Sequence, residues 1–474
     1  MHISLDSALG RQRRLNSVGE SVLQIAPNAA AAYSLRSLTG GDPTVVRVRR
    51  KSDNAEQDFT ASGVTSGALT SFVNEDVTIY QSDFSAGVNG FAQTSTTTLT
   101  GNQDGVSDSA GTSKDNVLKV VKAGDAQGYI QRDQGVVAGL TYTVSGSFFA
   151  PSANTSVDGI MIKDGLAGSS LSNYPSGYLV SDGTWKDFSF SYTAASDGNQ
   201  RVQLGVSSLG SNPNGSSTGS SGDIVYIADL KFVETISNGF VETWYDQSGN
   251  NRPLIQTTAS EQPLIVEAGT FLNGVKSNQA TSNDTMQNLQ VSTDGTNADF
   301  GTDDWENGEG SKLGAVYVGT VPADSVADPV QNAIIWGGGR GVSSFQLGSV
   351  ALTVVKAGAD NWKIRNERQG LSPSGTENTT SLNTDADVVL YGTTDNREFT
   401  INVNGSGDTE TVSADLDVRS GTALSLFGAY DGNANRYYQR SSGGVCKECY
   451  LYAGDSVANI PALATSINSH YSIY

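Results

Sequence analysis

Short runs in which hydrophobic and polar residues alternate recur along most of the chain. A period of two is typical of β-strands with one buried face. In "WKDFSFSYTA", residues 185–194, the alternation places three aromatic residues on one face, namely Phe188, Phe190 and Tyr192. In "DIVYIADLKFVE", residues 223–234, it predicts a shared face for Ile224, Tyr226, Ala228, Leu230 and Phe232. The pattern therefore predicts an all-β fold.

Beyond residue 236 the pattern continues in further runs separated by Gly, Asn or Asp turns. These runs are "GAVYVGTV", "NAIIWGGG", "ALTVVKAG", "NWKIRNE", "DVVLYGTT", "EFTINVNG", "ALSLFGAY" and "ECYLYAGD". Their number suits a sandwich of two sheets. The last segment differs, because apolar residues at 460, 463, 464 and 467 have helical spacing and predict one short closing helix.

The N-terminal region, residues 1–24, is polar with weak helical spacing, which predicts an arm that becomes ordered against a partner. The following "AAAAYSLRSL" is compatible with a short helix or with an apolar strand. In "TVVRVRRKSDNAEQDF", Val46 and Val48 alternate with Arg47 and Arg49. This alternation predicts a half-exposed strand whose arginine side chains face solvent.

The composition supports a strand-rich chain of more than one domain. There are 54 glycines and 16% charged residues, where about 25% is usual, so many turns join short strands. A length of 474 residues exceeds one ordinary core, and two or three domains are expected. The formal charge of -20 would repel a phosphate backbone, so we expect no nucleic-acid partner.

Targeting and metal-binding signals are weak. The arginines of residues 11–14 are not followed by an apolar run of roughly 7 to 15 residues, so no secretory signal is expected. No stretch approaches about 18 apolar residues, and no membrane insertion is expected. Cys446 and Cys449 lie in a strand-like run where their spacing predicts opposite faces and partial burial. With only His2 and His470 as further soft ligands, neither a metal nor a cofactor is expected.

Two stretches resemble a known family: "AAYSLRSLTGGDPTVVRVRRKSDNAEQDF" and "WYDQSGNNRPLIQTTASEQPLIV". Together they are similar to the catalytic domain of the fungal α-L-arabinofuranosidase B family. They resemble more closely the arabinofuranosidase-B-like modules of bacteriophage virion proteins. The resemblance implies a concanavalin A-like sandwich, with specific motifs over about 50 residues.

A second resemblance concerns the segment between those stretches. "GLTYTVSGSFFAPS", "DGTWKDFSFSYTA" and "GDIVYIADLKFVE" resemble, in that order, a jelly-roll carbohydrate-binding module. The predicted organisation is an N-terminal docking arm at 1–24, a discontinuous concanavalin A-like domain at 25–77 and 236–474, and an inserted jelly roll at 78–235. Insertion at an exposed turn costs little stability because the ends of a compact domain lie close together.

The resemblance to arabinofuranosidases implies which carboxylates this chain would need in order to be a glycosidase. Retaining glycosidases need a nucleophilic carboxylate and a second carboxyl group about 5 to 5.5 Å away. The family's nucleophilic Glu falls in strands that correspond here to "GAVYVGTV" and onward. No Asp or Glu lies between Asp328 and Asp360, and Gln346 is the residue nearest in shape. Asp431 corresponds to the second carboxylate. We therefore expect no catalysis, and the alternative is an active arabinofuranosidase-type glycoside hydrolase.

The "YDQSG" turn is interpreted as structural. Asp246 can accept hydrogen bonds from the backbone near Ser248 and Gly249, and Gly249 can adopt a positive φ that other residues resist. Trp244 and Tyr245 should lie on opposite sides of the sheet. The alternative is direct ligand contact by the aromatic and acidic side chains.

Candidate glycan-binding residues are aromatic, amide and charged residues, most of them on predicted loops. They are Trp336, Arg340, Tyr430, Asp431, Asn433, Arg436 and Tyr437, together with Tyr174 and Tyr178 in the inserted domain. A core position at a strand end is the alternative for Trp336. The family usually buries the residue that corresponds to Trp185. The acidic "GTDDWENGEG" lacks the ligand spacing of an EF-hand and is interpreted as a solvated loop.

The resemblance implies a phage virion structural protein, either a tail or capsid fibre, a spike or a decoration protein. Its arm would dock on other virion proteins, and its lectin-like domains would contact cell-surface polysaccharide without catalysis. Such proteins commonly form homotrimers or larger assemblies, and this one would assemble in the host cytoplasm. A purely architectural decoration protein is a further alternative.

Overall fold

The computed structural model describes residues 21–474 with internal gaps. The gaps are 83, 94–96, 124–127, 167–171, 208–220, 277–288, 292–311, 322–331, 340–348, 359–360, 370–373, 378–385, 396–397, 412–421, 427–428, 432–435 and 439–443.

The chain divides into two compact units. The split unit comprises Met1–Val73 and Gly239–Tyr474, and the inserted unit is the continuous segment Asn74–Asn238. The predicted insertion at 78–235 lies within the inserted unit. Both units consist mainly of antiparallel strands, so the prediction of an all-β fold is confirmed.

In the first segment of the split unit, the described residues form three strands and three short helices. They are α1 (Val22–Ile25), β1 (Ala31–Ser34), β2 (Thr44–Arg50), β3 (Glu56–Thr60), α2 (Ala61–Thr65) and α3 (Ala68–Val73). Residues 31–34 thus form a strand, which decides between the two predicted alternatives. Val22 is buried, so residues 21–24 belong to the folded body and not to the predicted arm, whereas residues 1–20 lie outside the described residues.

The exposure predicted for β2 is wrong at one position. Val46 and Val48 are buried as expected, but Arg49 is buried as well. The Arg49 guanidinium donates to Gln262 Oε1 at 2.6 Å and to the Ala259 carbonyl at 2.9 Å. Its central carbon also lies 4.8 Å from the centroid of the Phe240 ring. Burial is tolerated because its hydrogen bonds are satisfied within the protein.

The structure describes thirteen strands in the inserted unit, outside the gaps given above. They are β4 (Val77–Ser82), β5 (Ala92–Gln93), β6 (Thr97–Gln103), β7 (Val106–Ser107), β8 (Ser113–Lys114), β9 (Val117–Lys122), β10 (Gly128–Val136), β11 (Thr141–Phe149), β12 (Gly159–Leu166), β13 (Ser172–Val180), β14 (Lys186–Thr193), β15 (Gly198–Ser207) and β16 (Ile224–Ile236). One sheet has the order β14-β11-β16-β9-β6, with β4 also paired to β16, and the other has the order β13-β12-β15-β10-β5. A short hairpin joins β7 and β8.

The two sheets of the inserted unit contribute to one hydrophobic core, which includes Val144 and Phe148 of β11 and Ile160 of β12. In β14 the inward aromatic residues are those the alternation predicts, Phe188, Phe190 and Tyr192. Alternation therefore predicts the buried face of a regular strand correctly.

β16 departs from the predicted face because it contains a β-bulge. Ser145 and Ser147 of β11, two positions apart, pair with Lys231 and Ala228 of β16, which are three positions apart. Asp229, between those two β16 residues, has a φ of 55°. One extra residue reverses the faces of the strand on its two sides. Leu230 and Phe232 point into the core as predicted. Before the bulge the core residues are Val225 and Ile227, so the prediction that Ile224 and Tyr226 face inward is wrong.

The described parts of the second segment of the split unit form seventeen strands. They are β17 (Gly239–Trp244), β18 (Leu254–Ile255), β19 (Leu264–Glu267), β20 (Thr270–Lys276), β21 (Leu289–Val291), β22 (Leu313–Thr320), β23 (Asn332–Gly339), β24 (Ser349–Gly358), β25 (Asn361–Gln369), β26 (Ser374–Glu377), β27 (Asp387–Asp395), β28 (Glu398–Val403), β29 (Ser406–Thr411), β30 (Thr422–Leu426), β31 (Ala429–Asp431), β32 (Arg436–Tyr438) and β33 (Val445–Ala453). Short 3-10 helices span Ala259–Glu261 and Gly454–Asn459, and α4 (Ile460–Tyr471) closes the chain.

β33 pairs with β1, β20 and β22, and so connects the two segments of the split unit. α4 buries the apolar residues at 460, 463, 464 and 467, which confirms the predicted closing helix. Among the described residues, no helix is both long enough and apolar enough to cross a membrane.

A buried carboxylate anchors α4 to the strands. Glu448 of β33 is fully buried and ion-paired with Arg36. It also accepts hydrogen bonds from the hydroxyls of Ser34 at 3.1 Å, Tyr450 at 2.5 Å and Tyr471 at 2.9 Å. Tyr471 is the last residue of α4, so this network ties the end of the helix to β1 and β33.

The predicted opposite orientation of the two cysteines is wrong. Cys446 and Cys449 are both buried in the same core cluster. The pairing of β33 with β22 shifts register between Glu448 and Cys446, and this irregularity changes the alternation of faces. Burial, the main cause, raises the pKa of the Cys446 thiol, and hydrogen bonding to Cys449 adds to the effect.

Candidate functional site

An aromatic platform, defined as Phe149, Trp185 and Tyr226, lies on the outer face of the β14-β11-β16 sheet of the inserted unit. The Phe149 and Tyr226 rings stack with centroids 5.8 Å apart and planes at 13°. The Trp185 ring centroid lies 5.5 Å from that of Phe149, at 45°. Phe149 is buried, whereas Trp185 and Tyr226 remain partly exposed. The platform therefore offers two aromatic side chains at the surface with a third packed against both.

The bulge in β16 creates this arrangement. Phe149 is directly opposite Tyr226 in the register of β11 and β16. Phe148, one residue earlier, packs in the core, so Phe149 must point to the outer face. The extra residue near Asp229 turns Tyr226 to that same outer face. Two aromatic side chains thus meet across neighbouring strands as a cross-strand pair.

Charged and hydroxyl groups border the platform. Lys114 Nζ donates to Asp229 Oδ2 at 2.6 Å and to Ser147 Oγ at 2.9 Å. The same ammonium group lies 5.4 Å from the centroid of the Trp185 ring. Ser147 donates to Asp187 Oδ1 at 2.6 Å. The Asp229 side chain remains 67% exposed, so its carboxylate can accept further hydrogen bonds from a ligand.

Asp108 fixes the position of Trp185. The backbone N–H of Trp185 donates to Asp108 Oδ2 at 2.9 Å. The other carboxylate oxygen accepts from the backbone of Ala110 and Thr112 at 2.9 and 2.8 Å. These hydrogen bonds, led by that of Trp185, lower the pKa of Asp108 although desolvation opposes them. Ionised Asp108 therefore connects the loop between β7 and β8 to the residue that precedes β14.

Partial burial affects the polar groups of two platform residues, the Tyr226 hydroxyl and the Trp185 indole nitrogen. Burial raises the pKa of Tyr226, so its phenol is neutral over the ordinary pH range. The indole Nε1 of Trp185 is buried and has no hydrogen-bond partner among the described residues. The resemblance predicts that Trp185 is buried. In the structure its indole nitrogen is buried, whereas the side chain as a whole is only half-buried.

Several predicted binding residues lie on strands whose backbone is described. Tyr174 and Tyr178 lie on β13, and Trp336 lies on β23 opposite Ser425. β31 and β32 pair so that Tyr430 faces Tyr437 and Asp431 faces Arg436 in the register. Arg340 and Asn433 lie outside the described residues, as do Gln346 and the acidic segment 301–310.

The "YDQSG" turn connects β17 to β1. Asp246 Oδ1 accepts from the backbone N–H groups of Ala32 and Ser248, both at 2.9 Å. Its Oδ2 accepts from the Ser248 hydroxyl at 2.8 Å and the Arg252 backbone at 3.1 Å. Gly249 has a φ of 93°, a conformation that favours glycine. Asp246 thus holds the turn together and ties it to β1.

The side chain of Tyr245 links the two motif stretches, residues 31–59 and 244–266. Trp244 is fully buried, and Tyr245 is half-buried on the other side of the strand. The Tyr245 hydroxyl donates to Asp58 Oδ1 at 2.8 Å, and Arg47 donates to both Asp58 oxygens. The Arg47 hydrogen bonds are the main cause of the lowered pKa of Asp58. Burial and then the contact with Asp58 raise the pKa of Tyr245 to about 12.

Within the described part of the chain, no group of three or more His, Cys, Asp and Glu side chains is arranged to hold a metal ion. The carboxylates of Asp108 and Asp223 are instead occupied by several protein donors. Asp223 accepts from the backbone of Thr155, Ser156 and Val157 at 2.8 to 2.9 Å. These acids stabilise loops of the inserted unit.

Sequence reasoning did not identify Phe149 and Tyr226 as surface residues. The five consecutive residues Ile224–Ala228 are all apolar or aromatic, so the sequence does not itself define which face of this part of β16 is buried. The bulge places Tyr226 outside and brings it next to Phe149.

Comparison with protein-family models finds no match, and comparison with curated proteins finds none either. Among solved structures, the CBM22-1 xylan-binding domain of Paenibacillus barcinonensis Xyn10C is 10% identical, covers 34% of this chain and 95% of its own, and has a TM-score of 0.26. The enzymatically active domain of bacteriophage CBA120 tailspike protein 2 is 15% identical, with coverage of 39% and 26% and a TM-score of 0.26. An arabinofuranosidase complexed with arabinofuranosyl-α-1,2-xylobiose is 13% identical, with coverage of 68% and 62% and a TM-score of 0.30.

Proposed function

We propose that this protein binds carbohydrate without chemical transformation, through the aromatic platform of the inserted unit. The observation that carries the proposal is the stacked pair of Phe149 and Tyr226 with Trp185 beside it. Aromatic faces pack against the C–H groups of a pyranose ring, while nearby polar groups satisfy its hydroxyls. Here Asp229 and Lys114 are the polar groups at the border.

The charge distribution favours a neutral glycan. The Lys114 ammonium is already paired with Asp229, so it offers little free positive charge to an acidic sugar. The formal charge of the whole chain is -20, which repels polyanionic ligands at a distance. The exposed oxygens of Asp229 accept hydrogen bonds from sugar hydroxyls, which are donors at any ordinary pH.

The proposed setting is a phage particle on which the protein is a fibre, spike or decoration subunit. The support for this setting is the resemblance of the two motif stretches to modules of phage virion proteins. Residues 1–20 then dock on other virion proteins, and the assembly is a homotrimer or larger. Many weak glycan contacts on one particle gain strength through effective concentration.

A binding experiment tests the platform. Glycan-array screening of the parent chain selects a neutral ligand, and titration calorimetry then compares the parent with Tyr226→Ala. Removal of the ring should weaken binding at least about tenfold, because the stacking contact is lost. Tyr226→Phe retains the ring and should bind nearly as the parent does. Tyr474→Ala removes an exposed aromatic residue of the split unit and should have no effect.

An array without signal for every neutral glycan refutes carbohydrate binding, and equal affinity of the parent and Tyr226→Ala refutes the platform as the binding site. The hydrolase alternative has a separate assay, in which the parent is incubated with aryl arabinofuranosides and arabinoxylan. Turnover by the parent that disappears in Asp431→Asn would show that the protein is a glycoside hydrolase and would refute binding without catalysis.

The virion setting has its own test. Mass spectrometry of purified particles should detect this chain at a fixed stoichiometry. Deletion of residues 1–20, which leaves α1 intact, should abolish incorporation while the remaining protein stays folded. A truncated chain that is incorporated normally would refute the docking role of the arm.

A further inference from the structure

Two rows of side chains cross the outer face of the β14-β11-β16 sheet. One row is the aromatic platform. The other is displaced from it by two residues along each strand, where Ser147 of β11 pairs in register with Asp187 of β14 and with Ala228 of β16. Residues two apart on a strand lie on the same face, roughly 7 Å from each other. A sugar ring that packs on the platform therefore has one edge toward this second row.

Lys114 of β8 provides the cation of the second row. Its ammonium group donates to Asp229 and to Ser147, and it lies 5.4 Å from the centroid of the Trp185 ring, next to the platform. Asp187 accepts from Ser147 at 2.6 Å. The polar row is defined as Lys114, Ser147, Asp187 and Asp229. It combines one ammonium group with two carboxylates, so its net charge at neutral pH is negative.

The pair of Lys114 and Asp229 is suited to the hydroxyl groups of a neutral sugar. An ammonium group has three N–H donors, and the described contacts of Lys114 use two of them. The Lys114 side chain is 24% exposed and that of Asp229 is 67% exposed. A sugar hydroxyl can therefore accept from the ammonium group or donate to the carboxylate.

A carboxylate on the sugar would meet a different balance of charge. It could pair with the Lys114 ammonium only in competition with Asp229. Asp187 and Asp229 would both repel it, and like charges placed opposite each other oppose association. A built-in repulsion of this kind is a general means by which a site rejects the wrong ligand.

We propose that Asp229 makes the platform selective for neutral over acidic sugars, because it occupies the ammonium group with which a uronic acid would pair. This selectivity rests on the proposed function, since it concerns the ligand of the same platform. Without the charge of Asp229, the Lys114 ammonium is available to a sugar carboxylate, and uronic acids become ligands.

Asp229→Asn removes the charge with little change of shape. Asp229 has a φ of 55° at the bulge in β16. Asn is among the residues that adopt this conformation most readily, and it retains one acceptor oxygen. Gly also adopts it without strain, so Asp229→Gly is the second variant if Asp229→Asn does not fold. Circular dichroism establishes that each variant is folded.

A glycan array of matched pairs measures the selectivity. Each pair is a neutral oligosaccharide and its counterpart built from uronic acids of the same ring configuration. At pH 7 and about 20 mM salt, where exposed charges are weakly screened, the parent should bind the neutral member at least about fivefold more tightly. Asp229→Asn should raise the affinity for the acidic member about fivefold, the effect of one exposed charge pair. Adding Lys114→Gln to Asp229→Asn should abolish that gain.

Glu267→Gln is the matched control. Glu267 of β19 is likewise a carboxylate paired with a partly exposed lysine, Lys276, at 2.7 Å, but it lies in the split unit. This variant reduces the negative charge of the chain by the same amount as Asp229→Asn. If the selectivity came from the formal charge of -20 of the whole chain, both variants would shift it equally. We expect no shift for Glu267→Gln.

The outcomes distinguish the role of Asp229 from the proposed function. An array without signal for every neutral glycan refutes both. Binding of neutral glycans that is lost in Tyr226→Ala supports the platform. Given that result, the role of Asp229 is refuted if the parent binds both members of each pair equally, if Asp229→Asn leaves the affinity for acidic members unchanged, or if Glu267→Gln raises it equally.

Discussion

The backbone N–H of Trp185 donates to the side-chain carboxylate of Asp108 at 2.9 Å. This bond connects an aromatic residue of the platform to the loop between β7 and β8. Because the acceptor is a carboxylate, the connection depends on the protonation state of Asp108. The platform therefore has a predicted sensitivity to acid that is absent from an ordinary aromatic cluster.

We expect the environment of Trp185 to change in acid. The pKa of Asp108 is lowered from 3.8, mainly by the Trp185 N–H, so its stabilising contribution is complete above pH 3.8. That contribution is lost as pH falls below this value through the lowered pKa. Tryptophan fluorescence between pH 7 and pH 2 should show a change that is missing in Asp108→Asn. An identical titration of both proteins would contradict the assignment.

Asp246 is expected to stabilise the split unit through its bonds to Ala32, Ser248 and Arg252. Asp246→Ala leaves several backbone donors without an acceptor and should lower the free energy of unfolding by about 2 to 4 kcal/mol. Asp246→Asn retains one acceptor oxygen and should cost less. Chemical denaturation measures both. Equal stability of Asp246→Ala and the parent would show that water replaces these bonds fully.

Glu448 and Arg36 provide a second stability test. Glu448→Gln removes the counter-ion of a largely buried guanidinium and should lower the free energy of unfolding by about 3 to 5 kcal/mol. The double variant Glu448→Leu with Arg36→Met removes both charges and should regain part of that loss. Thermal unfolding and limited proteolysis of the C-terminal helix are suitable measurements. A double variant less stable than Glu448→Gln would contradict this account.

The two cysteines should be unreactive in the folded protein. Burial raises the pKa of Cys446, and a thiol must ionise to act as a nucleophile. A thiol reagent at pH 8 should therefore modify neither Cys446 nor Cys449 until denaturant is added, when both react. Rapid modification of the native chain at denaturant concentrations that leave it folded would show that this core opens locally.

Sequence alone was sufficient for strands of regular alternation. β14 and α4 have their buried residues where the spacing places them, since each has one uninterrupted period along its length. These features depend on neighbours in the sequence, which a linear pattern represents directly.

The remaining features depend on contacts between distant residues. Arg49 is buried because Gln262, over 200 positions away, accepts its hydrogen bond. Cys446 and Tyr226 change faces because their strands contain register irregularities that only pairing with a partner strand defines. The platform was missed for this reason, since Phe149, Trp185 and Tyr226 come from three separate segments.

Because of the bulge near Asp229, a small change in the length of β16 is enough to change which residues form the surface of the inserted unit. A single-residue insertion or deletion in β16 exchanges which side chains belong to the interior and which to solvent, without altering the amino-acid types present. Descendants of such a strand could gain or lose an aromatic recognition surface in one genetic event. Variation in length at this position should therefore track differences in ligand preference more closely than substitutions elsewhere in the strand.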